Sequence, residues 1–336
     1  MSHLPVYEGW SQTMANSEYE NSIWSDLKVV PHKTMSIHPA AMGVQFGASV
    51  FEGYKIHRTS DSNANTFRLA DNYQRMLRSC DRLCIPCPEY SLYFKAMELI
   101  ASQVESWRVP FQSDWLYVRP IIVSIDEHIM PVVSSRYNFY LLTAPIRPFQ
   151  VETFNLWIEN KFSRAASGGL GTAKTGANYA HQYYPTQQAK MHGCDAVLWL
   201  DSNKHSEIEE CSTMNVFFRV GDEIFTPSLK DTILPGITRK SVISIMKSEN
   251  WKVDEREISI NQILNWIKDG LLNEIFVTST ALGVRTVNNI SYNNIQYKSS
   301  FDTILSDHLR ETLHNIYQGK SDEYGDWIVP INMVDA

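Results

Sequence analysis

The chain has 336 residues, of which 43% are hydrophobic, 20% charged and 12% aromatic, with a formal net charge of -7. A net acidic chain without a basic run excludes a nucleic-acid surface, which needs clustered Lys and Arg against phosphate, and no uninterrupted apolar stretch is long enough to span a bilayer. The size suits one large core or two moderate ones, and two domains are expected.

The opening Met1-Ser-His-Leu-Pro-Val-Tyr-Glu-Gly-Trp10 lacks the basic-then-apolar pattern of a signal peptide. Five cysteines, an odd number in a long chain, fit a reducing compartment, so a cytoplasmic location is expected. Residues 1–30 are polar and predicted to wrap the surface. Val50–Arg58 alternates as a half-buried strand does, Ser60–Asn65 is a turn and Thr66–Leu69 a partner strand, together a hairpin. A helix follows from Asp71, read as its cap, to Pro86, with Tyr73, Met76, Leu77 and Leu83 as its apolar face. Arg75, Arg78 and Arg82 fall three and four apart and make one side basic, which a solvated face also explains. A second helix covers about 90–106, and Trp115–Val123 and Tyr137–Thr143 read as strands. Pro145 and Pro148 then break the pattern, so a small domain is placed at 1–148, a linker at 149–157 and a larger domain at 158–336.

In the second half, strands are predicted from Leu156 to Lys161 and at Ala196–Leu200, Thr213–Arg219 and Glu274–Ala281. Helices are predicted at 180–192, Ile260–Asp269 and 304–316. Ile233-Leu-Pro-Gly-Ile-Thr-Arg239 puts a Pro-Gly turn before another helix, whose first-turn N–H groups and dipole suit an anion. The order mixes strand and helix without the alternation of a doubly wound sheet.

The stretch that organises the chain is Gly168-Gly-Leu-Gly-Thr-Ala-Lys174-Thr-Gly-Ala-Asn-Tyr179. Its glycines suggest a tight path against another surface. Lys174 there can be a point charge for phosphate, a salt-bridge partner, an amine nucleophile, or a plain surface lysine. Three competing motifs fail. Cys80-x3-Cys84-x2-Cys87 has the spacing of an iron–sulfur ligand set but falls on a helix, so buried thiols explain it better and no metal is expected. Lys174-Thr-Gly176 with Ser25-x-x-Lys28 matches two penicillin-binding motifs, yet Ser-Asp-Asn is absent and Lys28 enters an extended segment. The glycine spacing fits neither a dinucleotide nor a Walker loop.

Lys174, Tyr179, Arg75, Glu210, Thr238 and Thr280-Ala281 together offer an amine for an aldehyde, donors for phosphate, and a carboxylate and a phenol for a ring. That inventory describes pyridoxal 5'-phosphate. Phe51-Glu-Gly, Asn72-x-x-Arg75-Met-x-Arg-Ser79, Leu116-Tyr-Val-Arg-Pro120, Lys174-x-Gly-x-Asn-Tyr179, Glu210-x-x-Thr-Met-Asn215, Leu234-Pro-Gly-Ile-Thr-Arg239 and Ser279-Thr-Ala281 resemble the branched-chain amino acid aminotransferases of the class IV pyridoxal-phosphate fold. The resemblance implies a two-domain mixed α/β (α+β) fold, with a small α/β domain and a larger domain built on a barrel-like mixed sheet. It implies Lys174 as Schiff-base lysine and proton shuttle, Tyr179 on the ring oxygen and Glu210 on the ring nitrogen. Arg75, the Ile237 and Thr238 amides and Thr280 would grip phosphate, with Arg164 nearby. Thr213 and Ala281, assisted by Tyr117, would receive the substrate carboxylate, Phe51 would line the side-chain pocket and Arg119 would support it. The family is dimeric, each site borrowing a loop from its neighbour, and the substrates implied are an amino acid and a 2-oxo acid.

The substrate side departs from the family. Phe46 stands where a Tyr is common, Ile129-Met130-Pro131 replaces the usual Leu-Gly-Val of the partner loop, and Arg147-Pro-Phe149 replaces a Gly-x-Tyr. Two phenols are lost, while an apolar pocket alone separates aliphatic chains by only about 1–3 kcal/mol per methylene. The expected activity is aminotransfer with specificity altered from the branched-chain type. The alternative is ordinary leucine, isoleucine and valine transamination; a related lyase, an amine transaminase or a noncatalytic binding protein stand behind both.

Overall fold

The computed structural model describes residues 13–31, 35–60, 63–102, 115–145, 153–298 and 301–332. The chain divides into two compact units. The described residues of one fall within Pro5–Pro148, Ala173–Ala177 and His314–Ala336; those of the other fall within Phe149–Thr172 and Asn178–Leu313. The expected domain boundary falls partly on 146–152, outside the described residues.

In the first unit, nine strands among the described residues form one antiparallel sheet. Its path runs Ile328–Asn332, Asn63–Phe67, Tyr54–Arg58, Trp115–Ser124, Tyr137–Pro145, Thr13–Glu20 and Ile23–Trp24. Lys28–Pro31 joins Thr13–Glu20, and Ser49–Phe51 joins Trp115–Ser124. The helices Leu69–Leu83 and Tyr90–Ala101 share a core with this sheet: Leu69, Met76, Tyr93, Met97 and Ile100 are buried with Ile56, Val118, Phe139 and Leu141.

Several expectations are corrected here. Residues 13–31 are not a surface wrap: Thr13–Glu20 lies between two strands, with Ala15 and Ser17 fully buried. Ser17 escapes the cost of burial by donating to the Ser25 carbonyl at 2.6 Å. The first helix begins at Leu69 rather than Asp71, because Arg68 takes a left-handed φ of 48° and pairs with Asp71 at 2.7 Å across the first turn. Its basic side divides, since Arg78 and Arg82 are exposed whereas Arg75 is buried. Cys84 is not inside this helix; it caps it at φ 54° and is exposed. The second helix ends at Ala101.

The second unit carries a mixed sheet ordered Ile208–Cys211, Ala196–Leu200, Thr153–Glu159, Gly283–Tyr292, Leu272–Ser279, Asn215–Val220, Glu223–Pro227 and Lys252–Arg256. Thr153–Glu159 runs parallel to both of its neighbours, and Glu223–Pro227 parallel to Lys252–Arg256; the other pairs are antiparallel. Leu156, Leu198, Val216, Ile275 and Val277 fill one core with Ile260 and Ile263 of the helix Ile260–Lys268. The predicted helix over 180–192 opens as a 3-10 turn, Ala180–Gln182, before the α-helix Tyr183–Met191. The predicted strand at Thr213 starts at Asn215, because Ser212, at φ 51°, turns the chain back on Cys211. The chain thus has the two-domain mixed α/β architecture expected of it.

Candidate active site

The candidate residues fall into two clusters, one in each unit. In the first, the short strand Ser49–Phe51 meets the lysine segment: Val50 bridges Thr175, and the Phe51 N–H donates to the Lys174 carbonyl at 3.0 Å. The Lys174 N–H donates to Ser79 Oγ at 2.9 Å, and that hydroxyl donates to the Arg75 carbonyl at 2.9 Å. One turn of helix therefore holds both Lys174 and Arg75. The Arg75 guanidinium donates through Nε and Nη2 to the two carboxylate oxygens of Glu52, at 2.6 and 2.7 Å, in a pair with both side chains buried. Two parallel charge-assisted bonds fix the guanidinium plane.

The Lys174 Nζ lies 4.9 Å from the centre of the Phe51 ring. The Arg119 guanidinium carbon lies 4.6 Å from the same ring, and its Nη2 donates to Tyr117 Oη at 3.1 Å. Withdrawal from water, then the charge of Arg75, push the Lys174 amine down to about 8, against an opposing pull from Glu52. An amine so placed has a sizeable neutral fraction near physiological pH and can serve as nucleophile and proton acceptor. Phe46 ends the turn Met42–Gln45 and is 41% exposed, and Ile129, Met130 and Pro131 are also exposed. Arg147 and Phe149 lie outside the described residues.

In the second cluster, Glu210 sits in Ile208–Cys211, buried. Its Oε1 accepts the Leu234 N–H at 2.6 Å and lies 3.1 Å from Arg164 Nη1. Arg164 also donates to the carbonyls of Thr232 and Gly171, at 2.6 and 3.0 Å. It thereby ties the glycine loop to the segment preceding Leu234 and acts as a support of Glu210. The tight path read from the glycines holds at Gly171, where a Cβ would lie 2.5 Å from both the Asp231 carbonyl oxygen and Thr232 Cα, but not at Gly168, where a Cβ would meet nothing within 4 Å. Asn178 Nδ2 donates to the Leu170 carbonyl at 2.7 Å, and Tyr179, half-buried, precedes the 3-10 turn.

The helix Ile237–Ser248 starts after extended Gly236 with no side-chain cap, and Ile237 and Thr238 are buried. Asn215 secures this start by donating to the Leu234 carbonyl at 3.1 Å. Arg239, in the same turn, faces elsewhere: it pairs with Glu255 at 3.0 Å and donates to the Pro227 carbonyl at 2.9 Å. Thr280 and Ala281 occupy the turn between Leu272–Ser279 and Gly283–Tyr292, where Ser279 Oγ accepts the Leu282 N–H at 3.2 Å. Thr213 is exposed in the turn before Asn215.

Glu52, Ser79 and Asn215 have positioning contacts that sequence reasoning missed. The available signal was Asn72, Arg75 and Ser79, polar residues at helical spacing on the face that also carries Leu69 and Met76. A buried arginine on such a face requires a buried acid.

Each cluster carries groups that suit a phosphorylated pyridine aldehyde: in the first a largely desolvated amine of lowered pKa, and in the second a buried carboxylate held by an arginine and a buried helix start without a side-chain cap. The family model for class IV amino-transferases matches residues 49–290, and the chain belongs to that family. Its relatives include branched-chain enzymes. Over 308 residues, 90% of this chain and 85% of the relative, it is 32% identical to branched-chain-amino-acid aminotransferase 2 of Bacillus subtilis (strain 168). Branched-chain-amino-acid transaminase 1 of the same organism is 31% identical over 337 residues, 98% of this chain and 95% of the relative. The fold superposes on the T.th. branched-chain amino acid aminotransferase solved with pyridoxamine 5'-phosphate, with a TM-score of 0.77 at 22% identity over 94% of this chain and 98% of that one. The Escherichia coli branched-chain aminotransferase gives a TM-score of 0.76 at 20% identity over 96% and 100%. The chain is a pyridoxal-phosphate-dependent aminotransferase.

Proposed function

We propose that the protein exchanges the amino group between an L-amino acid and a 2-oxo acid, as a homodimer, with a specificity altered from the branched-chain type. The observation that carries aminotransfer is the Lys174 amine, brought down to about 8, on a residue whose backbone N–H is held by Ser79. When bound, the cofactor supplies an electrophilic carbonyl and an electron-accepting ring. Lys174 would hold it and, once its amine is free again, would accept the substrate's α-proton at Nζ and deliver that proton again. Glu210, backed by Arg164, would present negative charge to the ring nitrogen, and Tyr179 would serve the ring oxygen. Arg75, the Ile237 and Thr238 amides and Thr280 would hold the phosphate. Thr213, Ala281, Tyr117 and Arg119 orient the substrate carboxylate beside Phe51.

The altered specificity rests on the apolar rim. Ile129, Met130, Val132 and Val133 are 85, 71, 48 and 71% exposed, a run of apolar surface suited to cover by a second subunit. Phe46 and this loop present no phenol. Ordinary branched-chain specificity is the second reading, favoured by the names of the relatives at 31–32% identity. All five cysteines are free thiols, which supports the cytoplasm as location.

Mixing the holoenzyme singly with leucine, isoleucine, valine, glutamate, aromatic L-amino acids, ornithine, D-alanine and a primary amine separates the readings. Absorbance follows conversion of the bound cofactor from its aldehyde to its amine form. Slow conversion by the three aliphatic amino acids and fast conversion by another L-amino acid is the expected result. Fast conversion by leucine, isoleucine and valine establishes the second reading, and conversion by none of the panel overturns aminotransfer.

A further inference from the structure

The motif Cys80-x3-Cys84-x2-Cys87 is left unused by aminotransfer, and the fold separates its three thiols. Cys80 is fully buried in the last turn of Leu69–Leu83, Cys84 is exposed at the helix cap, and Cys87 is half-buried. The chain reverses after the helix so that Cys87 returns to Cys80. The Ile85 N–H donates to the Cys80 carbonyl at 3.0 Å, and Tyr73 Oη donates to the Pro88 carbonyl at 3.1 Å, closing the return segment at both ends. Pro86 and Pro88 flank Cys87 and restrict its backbone further. Cys87 packs on the core cluster that contains Cys80, near enough to act on the Cys80 thiol.

We propose that Cys80 and Cys87 form a reversible dithiol–disulfide pair, closed by exchange with a low-molecular-weight disulfide. The half-buried thiol reacts first. Cys87, as thiolate, attacks one sulfur of the small disulfide; that S–S bond breaks, a thiolate leaves, and a mixed disulfide remains on Cys87. Cys80 then attacks the Cys87 sulfur and expels the second small thiolate. The two protein thiols are oxidised, the small disulfide is reduced to two thiols, and the two protons pass through water to the leaving groups. In the reduced protein the Cys80 thiol keeps its proton, its pKa raised first by Cys87 and then by burial. Capping Cys87 removes the first of these causes, so the second step is eased by the first.

Two independently packed thiols, with Cys80 acting only as a small core residue, would predict no such bond. The holoenzyme, equilibrated in buffers of rising oxidised-to-reduced glutathione ratio, alkylated and digested with trypsin, distinguishes the two. Cleavage after Arg78, Arg82 and Lys95 places Cys80 in one peptide, and Cys84 and Cys87 together in the next. The expected product is these two peptides joined, two hydrogens lighter than their sum, rising with the ratio and reversed by dithiothreitol. The joined product persists in Cys84→Ser and is lost in Cys87→Ser, both substitutions at thiols less buried than Cys80. Persistence in Cys87→Ser, loss in Cys84→Ser, glutathione retained on Cys84 or Cys87 without a joined product, or no reaction at all each overturns the proposal.

Discussion

The backbone of Lys174 is hydrogen-bonded to the side chain of Ser79, N–H to Oγ at 2.9 Å, and the same hydroxyl donates to the carbonyl of Arg75. A single buried oxygen thus sets the lysine against the helix that carries the arginine. In Ser79→Ala the Lys174 N–H loses its acceptor in a part-buried site, which costs about 1 kcal/mol, toward the low end of the range for an unsatisfied donor. We expect that loss in chemical denaturation of the apoenzyme. We also expect aminotransfer to slow by about ten- to a hundredfold, because small displacements of a reacting group are expensive. An unchanged rate in a destabilised variant would mean that Ser79 supports the fold but not Lys174.

The legible part of this site was its functional groups, and the illegible part was what holds them. Lys174, Tyr179 and Glu210 stand in short ordered motifs whose chemistry can be named. Glu52 stands in Val50-Phe-Glu-Gly-Tyr, where alternation explains it as one more strand residue, and only the fold reveals its buried partner. The strand Thr13–Glu20 was hidden for a related reason. Ser17 is a buried polar residue, and a polar side chain whose partner, here the Ser25 carbonyl, comes from a later turn reads as surface. Glycines were the reverse case: their crowding announced a close approach, made at Gly171, without naming Asp231 and Thr232 as its other side.

Glu52 lends Lys174 a second dependence. Its charge raises the lysine pKa, whereas burial and Arg75 lower it. In the apoenzyme, Lys174 titrates at about 8, below the roughly 10.4 of an unfolded lysine. Between those values the unfolded chain binds a proton that the folded chain does not, so this group's contribution to stability rises with pH across that window. Below it, the full penalty of a desolvated ammonium is present. Lys174→Met should abolish this part of the rise when denaturation is compared at about pH 8 and pH 10, and should abolish aminotransfer. Glu52→Gln should extend the window to lower pH and cost about 3–5 kcal/mol, because Arg75 is left buried without its counter-charge. A pH dependence identical in the parent and Lys174→Met would refute the lowered lysine.

Glu210 offers a test in the other unit that leaves its hydrogen-bond acceptor in place. Glutamine retains a side-chain oxygen for the Leu234 N–H but not the charge that faces Arg164 at 3.1 Å. We expect Glu210→Gln to fold and to retain cofactor through the phosphate-binding residues. Its rate should fall by about a hundredfold or more, a range typical of lost electrostatic stabilisation. Cofactor affinity measured by equilibrium dialysis, alongside kcat, separates this from general damage. Parallel losses in both would make Glu210 a structural residue.

The last prediction concerns the glycine of Phe51-Glu-Gly53. A Cβ at Gly53 would lie 1.9 Å from Tyr117 Oη, so Gly53→Ala must displace a ring that is only 4% exposed and that accepts the Arg119 hydrogen bond. Overpacking of this kind costs about 1–3 kcal/mol. Tyr117→Phe removes the oxygen that is struck and the acceptor for Arg119. The two changes therefore should not add. In a double-mutant cycle, Gly53→Ala in the Tyr117→Phe background should destabilise less than in the parent, with a coupling of about 1 kcal/mol or more. If Tyr117 and Arg119 orient the substrate carboxylate, both single variants should raise KM more than they lower kcat, and the double variant should resemble Tyr117→Phe. Additive stabilities would show that the ring yields freely, and an unchanged KM in both single variants would remove Tyr117 from the carboxylate site.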